Sequence, residues 1–267
     1  MNKFSHLLNW FNDKNSVLVS LSGGVDSALV AYAAFQKLGK KSVAVTADYK
    51  TLSQEELETS KKITYEIGIQ HIILNYNELE NESFVKNDSN RCFYCRDELS
   101  VKLIETAKQF QLDVIVDGTH IDDLGDYRPG IDALRKNGIK SPLLDVELSK
   151  DEIRSICKKI GLTIYNRPSN SCLASRIPWG QRVTAERLAR IEMGETIIKQ
   201  LTGFQLIRVR DLDGVAKIEV ESNNISVLYE KNYLEQIVNK LQMIGFTSVM
   251  IDPNGYRSGN LNIIYEK

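Results

Sequence analysis

The fold class follows first from the segment Val17-Leu-Val-Ser-Leu-Ser-Gly-Gly-Val-Asp-Ser27. Its β-branched first half predicts a buried strand, and the residues after it have the spacing of a helix. The two glycines let the backbone approach an anion, which the amides and dipole of the helix N-terminus attract. The serine hydroxyls can add donors, and a carboxylate can hold Mg²⁺. The stretch predicts a phosphate-binding loop whose candidate nucleotide and magnesium ligands are Ser22, Gly23, Gly24, Asp26 and Ser27.

The alternation of strand and helix continues on the C-terminal side of this loop. Short β-branched runs are followed by longer stretches whose apolar residues recur every three or four positions. Such alternation predicts right-handed βαβ units and a Rossmann-like parallel sheet, so the fold class is α/β. The predicted strands are Val17–Leu21, Ser42–Ala47, His71–Asn75 and Val114–Val116, and the clearest predicted helices are Val25–Leu38, Gln54–Ile67 and Phe93–Phe110.

The pattern changes after Pro168, and a second, smaller α+β domain is predicted over residues 176–267. The nucleotide-binding domain then covers residues 1–175. The polar stretch Asn77–Asn90 interrupts the first domain, and we interpret it as a long functional loop. Asp213-Gly214 is typical of a hairpin turn. The predicted elements of the second domain are helices Thr184–Leu201 and Tyr233–Met243 and strands Gln205–Arg210, Val215–Val220 and Thr247–Asp252.

The composition is that of a globular protein. Of 267 residues, 42% are hydrophobic and 26% are charged, and 34 basic and 35 acidic side chains give a net charge of −1. The chain lacks the basic excess of a protein that follows a phosphate backbone, so no nucleic-acid partner is expected. No run of about 18 apolar residues predicts a membrane span, and the N-terminus has no signal-peptide pattern. The sequence therefore predicts a cytoplasmic protein.

Two further strand ends carry polar residues that can reach a nucleotide. Asp117-Gly-Thr-His-Ile-Asp-Asp123 follows the predicted strand Val114–Val116. In an open α/β sheet, ligands gather at the carboxyl ends of the strands, which makes Gly118 and Thr119 candidate nucleotide-binding residues. Asp48, at the end of the second strand, is either an adenosine-binding residue or an ordinary solvated acid.

The four cysteines divide into three on polar segments and one on a helix face. Cys92-Phe-Tyr-Cys95 precedes a predicted helix, and Cys172 lies on a loop between the two predicted domains. The C-x-x-C pair fits a redox dithiol, a structural zinc site or an iron–sulfur cluster, but the sequence contains no second pair to complete a zinc site. Three thiolates on a 4Fe-4S cluster leave one iron open to hydrosulfide. Cys157 follows the apolar spacing of its helix and is expected to be an inert core residue.

Together these motifs resemble a known family. The loop Ser22–Ser27 resembles the pyrophosphate loop, or PP-loop, of the N-type ATP pyrophosphatases, which implies an adenine nucleotide alpha-hydrolase-like fold. Nearly the whole chain is similar to the LarE family, the ATP-dependent sulfur transferases that make the nickel-pincer cofactor of lactate racemase. The other motifs that carry this resemblance are Asp126-Tyr-Arg-Pro-Gly130, Ser171-Cys-Leu-Ala-Ser-Arg176 with Pro178 and Gly180, Arg208-Val-Arg210, Glu219 and Gly255-Tyr-Arg-Ser-Gly259.

The resemblance implies an enzyme that acts on pyridinium-3,5-biscarboxylic acid mononucleotide. ATP and Mg²⁺ adenylate a carboxylate and release pyrophosphate, and sulfur then displaces AMP to give a thiocarboxylate. In one type of LarE, the cysteine matching Cys172 gives up its own sulfur and becomes dehydroalanine. A subgroup with an additional pair, here Cys92 and Cys95, is associated with a 4Fe-4S cluster that carries an extra sulfide. We expect the cluster route here, because a sacrificial enzyme needs one cysteine and this chain has three at the matching positions.

The resemblance also implies a substrate site in the second domain. The implied substrate or anion residues are Ser175, Arg176, Arg208, Arg210 and Glu219. From their spacing alone, Arg208 and Arg210 would instead form the polar face of a half-buried strand. Arg128 and Arg257 share a Tyr-Arg context and have no assigned role. Members of the family form homo-oligomers, so a homo-oligomer is expected, with sulfide or another sulfur donor as a further partner.

Three other functions share parts of this pattern. A tRNA thiolase combines the same loop with three cysteines, but it needs an RNA-binding surface. An amide-forming ligase of the NAD synthetase kind would leave Cys92, Cys95 and Cys172 without a role. A non-enzymatic module would bind ATP without releasing pyrophosphate. RNA binding, an ammonia-dependent product and pyrophosphate release distinguish these functions from sulfur transfer.

Overall fold

A computed structural model describes residues 3–125 and 129–257. Arg128 lies outside the described residues, as do residues 126, 127, 258 and 259 of the two Tyr-Arg motifs. The strands are β1 (Val17–Ser20), β2 (Ser42–Asp48), β3 (Gln70–Asn75), β4 (Val114–Val116), β5 (Ile207–Leu212), β6 (Val215–Val220) and β7 (Ser248–Ile251). The α-helices are α1 (Lys3–Trp10), α2 (Val25–Leu38), α3 (Gln54–Ile67), α4 (Glu82–Val85), α5 (Arg91–Gln109), α6 (Pro129–Lys136), α7 (Pro142–Asp145), α8 (Lys150–Ile160), α9 (Ala185–Thr202), α10 (Ile225–Leu228) and α11 (Lys231–Met243). No helix in the described ranges is long and apolar enough to cross a membrane.

The chain divides into two compact units, of which the first comprises Met1–Glu78 and Asn90–Asn170. Its strands form a fully parallel sheet in the order β3-β2-β1-β4. The predicted α/β class and Rossmann-like parallel sheet are therefore confirmed. Because all four strands run in the same direction, the loop after β1 emerges beside the carboxyl ends of β2 and β4, where such sheets bind ligands.

Helix α2 lies at the centre of the core of the first unit. Residues 28–31 are all fully buried, so α2 is covered on every side and not on one face only. It packs against α8, on which Ile153 and Cys157 are also fully buried. Burial raises the pKa of the Cys157 thiol to about 12. The expectation that Cys157 is a core residue is confirmed.

The second unit comprises Leu79–Ser89 and Ser171–Lys267 and contains its own sheet, in the order β5-β6-β7. Strands β5 and β6 form an antiparallel hairpin, and β7 pairs with β6 in parallel. At the predicted hairpin turn, Asp213 and Gly214 have φ angles of 53° and 92°, as both central residues of a type I′ turn do. Side chains from α9, α11 and the sheet close a separate apolar core that includes Ile198, Val209 and Ile237.

The segment Leu79–Ser89 differs from the long loop that the sequence predicts. It contains α4, which the side chain of Asn81 caps. Asn87 is fully buried within the second unit, where its side-chain amide donates to the carbonyl oxygens of Pro178 at 2.7 Å and Gln181 at 2.8 Å. These bonds explain why a segment from the middle of the chain is part of the second unit.

Candidate active site

The predicted phosphate loop joins β1 to α2 in the first unit. Gly23 has a φ angle of 79°, and a Cβ atom there would lie 2.7 Å from the carbonyl oxygen of Glu56, so the position requires glycine. The Ser27 hydroxyl donates to the Gly24 carbonyl at 3.1 Å and accepts from the Ser22 amide at 3.2 Å. Gly24 is the N-cap residue of α2 and has no side chain to bond the first amides of the helix. The loop is held by its own serine, and the helix N-terminus beside it suits an anion.

An open cavity of about 100 Å³ lies at this loop. Two acidic and two basic side chains line it together with the loop residues: Asp26, Glu56, Lys150 and Arg167. Lys150 Nζ donates to the two carboxylate oxygens of Asp26 at 2.7 and 2.5 Å. Arg167 Nη2 lies 2.8 Å from Glu56 Oε1, and Arg167 Nη1 donates to Glu56 Oε2 at 3.0 Å. Each of these two cations is therefore bound to a carboxylate of the same cavity.

Lys150 reaches Asp26 because of the way α8 begins. Ser149 and Glu152 form a capping box, which fixes Lys150 as the first residue of the helix. His120 is also buried close to this carboxylate, with its Nε2 atom 3.8 Å from Asp26 Oδ1. The Ser-x-x-Glu pattern marks the start of this helix in the sequence. Nothing in the sequence connects Lys150 or His120 with Asp26, because these contacts depend on the tertiary fold.

Gly118 and Thr119, predicted at the end of β4, lie in the part of the first unit that packs on the loop. A Cβ atom on Gly118 would be 2.7 Å from the backbone nitrogen of Ser27, so this glycine lets the chain pack on the first turn of α2. The Thr119 hydroxyl donates to the buried carboxylate of Asp117. Asp48 ends β2 and is half-buried. These contacts explain how Gly118 and Thr119 shape the site. Direct nucleotide binding by Asp48, Gly118 and Thr119 stays a prediction.

Cys92 and Cys95 lie in the first turns of α5, which begins at Arg91, whereas the sequence places the pair just before or at the start of a helix predicted from Phe93. The carbonyl oxygen of Asn90 accepts from the amides of Phe93 at 2.9 Å and Tyr94 at 3.2 Å, so the helix begins before the pair. The helix begins earlier than predicted because its first turn has no side-chain cap that the sequence could reveal. Neither cysteine forms a disulfide, and both are partly exposed. At positions i and i+3, they share one face of the helix.

Charged and buried groups surround the two thiols. Burial tends to lower the pKa of Arg96, but acidic groups around the guanidinium raise the pKa overall. These groups are Tyr49, Cys95, Asp117 and Cys92. Glu78 is fully buried, and burial raises its pKa to about 8 against the opposing effect of hydrogen bonds from Thr51 and Cys95. A guanidinium beside the start of a helix is an environment that stabilises negatively charged sulfur.

Of the three predicted cluster ligands, only Cys92 and Cys95 lie in the same unit. Within residues 3–125 and 129–257, no group of three or more His, Cys, Asp or Glu side chains is placed to hold a metal ion. Cys92 and Cys95 fit two neighbouring ligands of a cluster, because they share a helix face beside Arg96. Cys172 belongs to the second unit. The three-cysteine cluster therefore stays a prediction.

Cys172 begins a short 3₁₀ turn of the second unit, and Arg176 holds this turn together. Arg176 is fully buried, and its Nη1 atom donates to the carbonyl oxygens of Ser171 at 2.6 Å and Cys172 at 3.0 Å. Its Nε and Nη2 atoms donate to the two carboxylate oxygens of Glu195 at 2.8 and 3.1 Å. The hydroxyls of Ser175 and Ser171 are 2.8 Å apart. Ser175 and Arg176 thus bind the cysteine loop itself, and Glu195 is a supporting residue that the sequence does not indicate.

Arg208, Arg210 and Glu219 lie on the paired strands β5 and β6, and all three are buried. The alternative from spacing alone, the polar face of a half-buried strand, does not fit, because residues 207–211 of β5 are all buried. Arg210 donates through Nε and Nη2 to Glu219 Oε2 at 3.0 and 2.7 Å, and through Nη1 to the Ser175 carbonyl at 2.7 Å. The two strands thus hold Arg210 and Glu219, two of the residues predicted to bind an anion, against the turn that begins at Cys172.

Arg208 adds a further buried positive charge to the second unit. The pKa of Arg208 is lowered to about 10. Burial is the largest cause, and the positive charge of the neighbouring Arg176 is the second. Its guanidinium lies 5.3 Å from the ring centroid of Tyr256. The positive charge of Arg210 also repels the Arg208 guanidinium and lowers its pKa further. An anion bound among these guanidiniums would offset the repulsion between them.

The Gly-Tyr-Arg motif positions Tyr256 beside this charge. Gly255 has a φ angle of 66°, and a Cβ atom there would lie 2.6 Å from the carbonyl oxygen of Val220. The Tyr256 amide donates to the same oxygen at 2.7 Å. The close contact requires glycine and places the tyrosine ring against Arg208. Arg257 is exposed, and its position indicates no role.

Comparison with known proteins identifies the family. The chain is 30% identical over 263 residues to the pyridinium-3,5-bisthiocarboxylic acid mononucleotide synthase of Lactiplantibacillus plantarum. The match covers 97% of this chain and 94% of that protein, so it extends across both units. The chain belongs to the LarE family. It is an ATP-dependent sulfurtransferase of the PP-loop class.

Other similarities place this LarE chain in a wider group. It is 37% identical over 265 residues to an uncharacterized protein of Synechocystis sp., covering 99% of this chain and 98% of that one. It is 27% identical over 233 residues to the tRNA-specific 2-thiouridylase MnmA of Rickettsia bellii, covering 73% of this chain and 63% of that protein. The family model for queuosine biosynthesis protein QueC matches residues 16–92, which include the loop between β1 and α2. The prediction of an ATP pyrophosphatase loop is confirmed.

Proposed function

We propose that the chain converts pyridinium-3,5-biscarboxylic acid mononucleotide into a thiocarboxylate. ATP and Mg²⁺ adenylate a carboxylate of this substrate, pyrophosphate leaves, and sulfur then displaces AMP. The observation that carries the proposal is the similarity to the Lactiplantibacillus plantarum synthase, because it covers 97% of the chain and is not confined to the ATP loop. We further propose that the enzyme acts as a homo-oligomer in the cytoplasm, with sulfide or another sulfur donor as its partner.

The first unit provides the nucleotide site of this proposal. The amides at the start of α2 and the hydroxyls of Ser22 and Ser27 are suited to bind phosphate oxygens. Asp26 is the residue that would hold Mg²⁺, since its carboxylate lines the cavity and hard cations prefer oxygen ligands. The ion would supply charge stabilisation to the departing pyrophosphate. Lys150 must leave Asp26 when the metal binds, and the phosphates offer its ammonium a new anionic partner.

The second unit provides the substrate site. Arg208 and Arg210 would bind the phosphate of the mononucleotide, with Arg210 oriented by Glu219. Their burial supports this assignment, because hydrogen bonds between guanidinium and phosphate strengthen where water is excluded. Arg176 contributes indirectly, since its bonds to the carbonyls of Ser171 and Cys172 fix the loop that carries the sulfur chemistry.

We assign sulfur delivery to Cys92, Cys95 and Cys172 as ligands of a 4Fe-4S cluster. When bound, such a cluster would supply an iron-held sulfide as the nucleophile. The shared helix face of Cys92 and Cys95 and the guanidinium of Arg96 support this assignment. The alternative is sacrificial transfer, in which Cys172 gives up its own sulfur and becomes dehydroalanine. Both routes need the loop of Cys172 to be held in place, as Arg176 and Glu195 hold it.

Transfer of sulfur to tRNA is a second candidate function, which the similarity to tRNA-specific 2-thiouridylase favours. That similarity covers 63% of the relative, whereas the similarity to the mononucleotide synthase covers 94%. The net charge of −1 also gives little support for a surface that follows an RNA backbone. We therefore favour the mononucleotide as the substrate.

The proposal is tested with a mononucleotide substrate whose carboxylates carry ¹⁸O. An acyl-adenylate forms when a carboxylate oxygen attacks the α-phosphorus, and sulfur then breaks the bond between that oxygen and the carbonyl carbon. The oxygen therefore leaves with AMP. The expected result is AMP that contains the heavy oxygen, together with a thiocarboxylate product. Unlabelled AMP would contradict adenylation of the carboxylate.

A further inference from the structure

Arg167 places a cation directly against the phosphate loop. Its Nη1 atom donates to the carbonyl oxygen of Gly23 at 3.2 Å and to Glu56 Oε2 at 3.0 Å, and its Nη2 atom lies 2.8 Å from Glu56 Oε1. The guanidinium also lines the cavity together with Ser22 and Gly24. Its side chain is 20% exposed, so the cavity gives it room to change partners. Arg167 is therefore close enough to the loop to contact an anion bound there.

Glu56 is an unusual partner for this arginine. It lies in the first turn of α3 and is 7% exposed. Burial raises the pKa of its carboxyl above the ordinary value, although Arg167 and Asn170 act in the opposite direction. A buried carboxylate next to a phosphate loop also repels the anion that the loop binds. The charge of Glu56 thus disfavours an anion at the loop. Its presence is explained if its role is to bind Arg167 when the site is empty.

We propose that Arg167 is an anion-binding residue of the nucleotide site and that Glu56 holds it in reserve until nucleotide binds. The phosphates of ATP then replace the Glu56 carboxylate as the binding partner of the guanidinium. A planar guanidinium can exchange a carboxylate for a phosphate, because both anions can accept two hydrogen bonds from its paired donors. The inference rests on ATP binding at the PP-loop and adds two residues to that site.

A purely structural role makes a different prediction. If Arg167 is only a structural residue, its charge serves to neutralise the buried carboxylate of Glu56. Once Glu56 carries no charge, removing the arginine should then have little effect on nucleotide binding. If Arg167 contacts the phosphates, removing it should weaken binding whether or not Glu56 is charged. The two roles are therefore separated in a variant that already lacks the carboxylate.

The experiment measures the Kd of α,β-methylene-ATP with Mg²⁺ by titration calorimetry. Glu56→Gln keeps the size of the side chain, and it should tighten binding by about threefold or more, because it removes a buried negative charge and releases Arg167. Adding Arg167→Gln to this variant should weaken binding by about tenfold or more, the usual effect of losing a hydrogen bond to a charged group. Adding Arg167→Lys should have a smaller effect, since an ammonium still binds phosphate as a point charge.

A matched control separates contact from a general loss of positive charge. Lys62→Gln removes one cation from the exposed face of α3, and in the Glu56→Gln background it should change the Kd by less than about twofold. An equally small effect of Arg167→Gln would overturn the inference. If the double variant does not fold, the single variant decides, because weaker binding by Glu56→Gln than by the unaltered chain contradicts a reserve role. Failure of the unaltered chain to bind the analogue would instead contradict the proposed ATP-dependent function.

Discussion

Lys150 Nζ lies 2.7 and 2.5 Å from the two carboxylate oxygens of Asp26. The ammonium therefore covers both oxygens through which this carboxylate would hold Mg²⁺. In the same cavity, Arg167 binds Glu56 in a comparable way. The two cations of the cavity are thus paired with its own carboxylates, so a nucleotide and a metal ion bound there would exchange these partners.

Replacing Asp26 with Asn should reduce pyrophosphate release by about 100-fold or more. The loss of the metal ligand removes charge stabilisation of the transition state that is worth several kcal/mol. The measurement is pyrophosphate released from ATP in the presence of the mononucleotide. Asp151→Asn, on the exposed face of α8, is the control and should leave the rate unchanged. An undiminished rate in Asp26→Asn would show that this carboxylate does not hold the catalytic metal.

Replacing Lys150 with Met should strengthen metal binding in the absence of nucleotide. Without the ammonium, the negative charge of Asp26 is uncompensated, and the affinity for Mn²⁺ should rise by about threefold or more. Electron paramagnetic resonance of free Mn²⁺ measures this affinity. Lys159→Met removes an exposed ammonium from the same helix and should leave the affinity as it is. Equal Mn²⁺ binding by Lys150→Met and the unaltered chain would contradict competition between the lysine and the metal.

The parts of the fold that the sequence predicts correctly are those with strong local signals. The bounds of α2, α3 and β4 agree with the structure, because their apolar periodicity and their glycine stops act within a few residues. The start of α5 is predicted at Phe93 and lies at Arg91, since no side-chain cap marks the first turn of the helix. Sequence spacing also cannot pair Lys150 with Asp26 or Glu195 with Arg176, because these partners meet only in the tertiary structure.

Replacing each of the two arginines of β5 should distinguish an effect on substrate binding from an effect on the free energy of unfolding. Arg208→Met removes a charge that burial already disfavours, so the variant should be as stable as the unaltered chain and should bind the mononucleotide about tenfold more weakly. Arg210→Met leaves the buried Glu219 without its guanidinium and should also lower the free energy of unfolding by roughly 3 kcal/mol. Calorimetry and thermal unfolding measure the two effects.

Binding of the ATP analogue should be unchanged in both arginine variants. Lys240→Met, at an exposed position of α11, is the control for loss of positive charge. Mononucleotide binding by Arg208→Met that equals binding by the unaltered chain would remove Arg208 from the substrate site.

The sulfur source should be visible in the intact mass of the protein after turnover with excess sulfide. On the cluster route, the mass of the polypeptide stays the same, and Cys92→Ser or Cys95→Ser abolishes repeated turnover. On the sacrificial route, Cys172 loses the elements of hydrogen sulfide, and the same two variants still complete one turnover. The peptide that contains the buried Cys157 serves as the internal control, because it should remain unmodified on either route. A dehydroalanine at Cys172 that sulfide does not reverse would contradict the cluster route.

ATP-dependent sulfur transfer to a carboxylate can be measured through all its products in one reaction mixture. The protein is incubated without oxygen with Mg²⁺, ATP, sulfide and the dicarboxylate mononucleotide, and the nucleotides and the mononucleotide are quantified by mass spectrometry. We expect AMP and thiocarboxylate to form in equal amounts, accompanied by pyrophosphate. Formation of ADP and phosphate, or of AMP without any thiocarboxylate, would contradict the account.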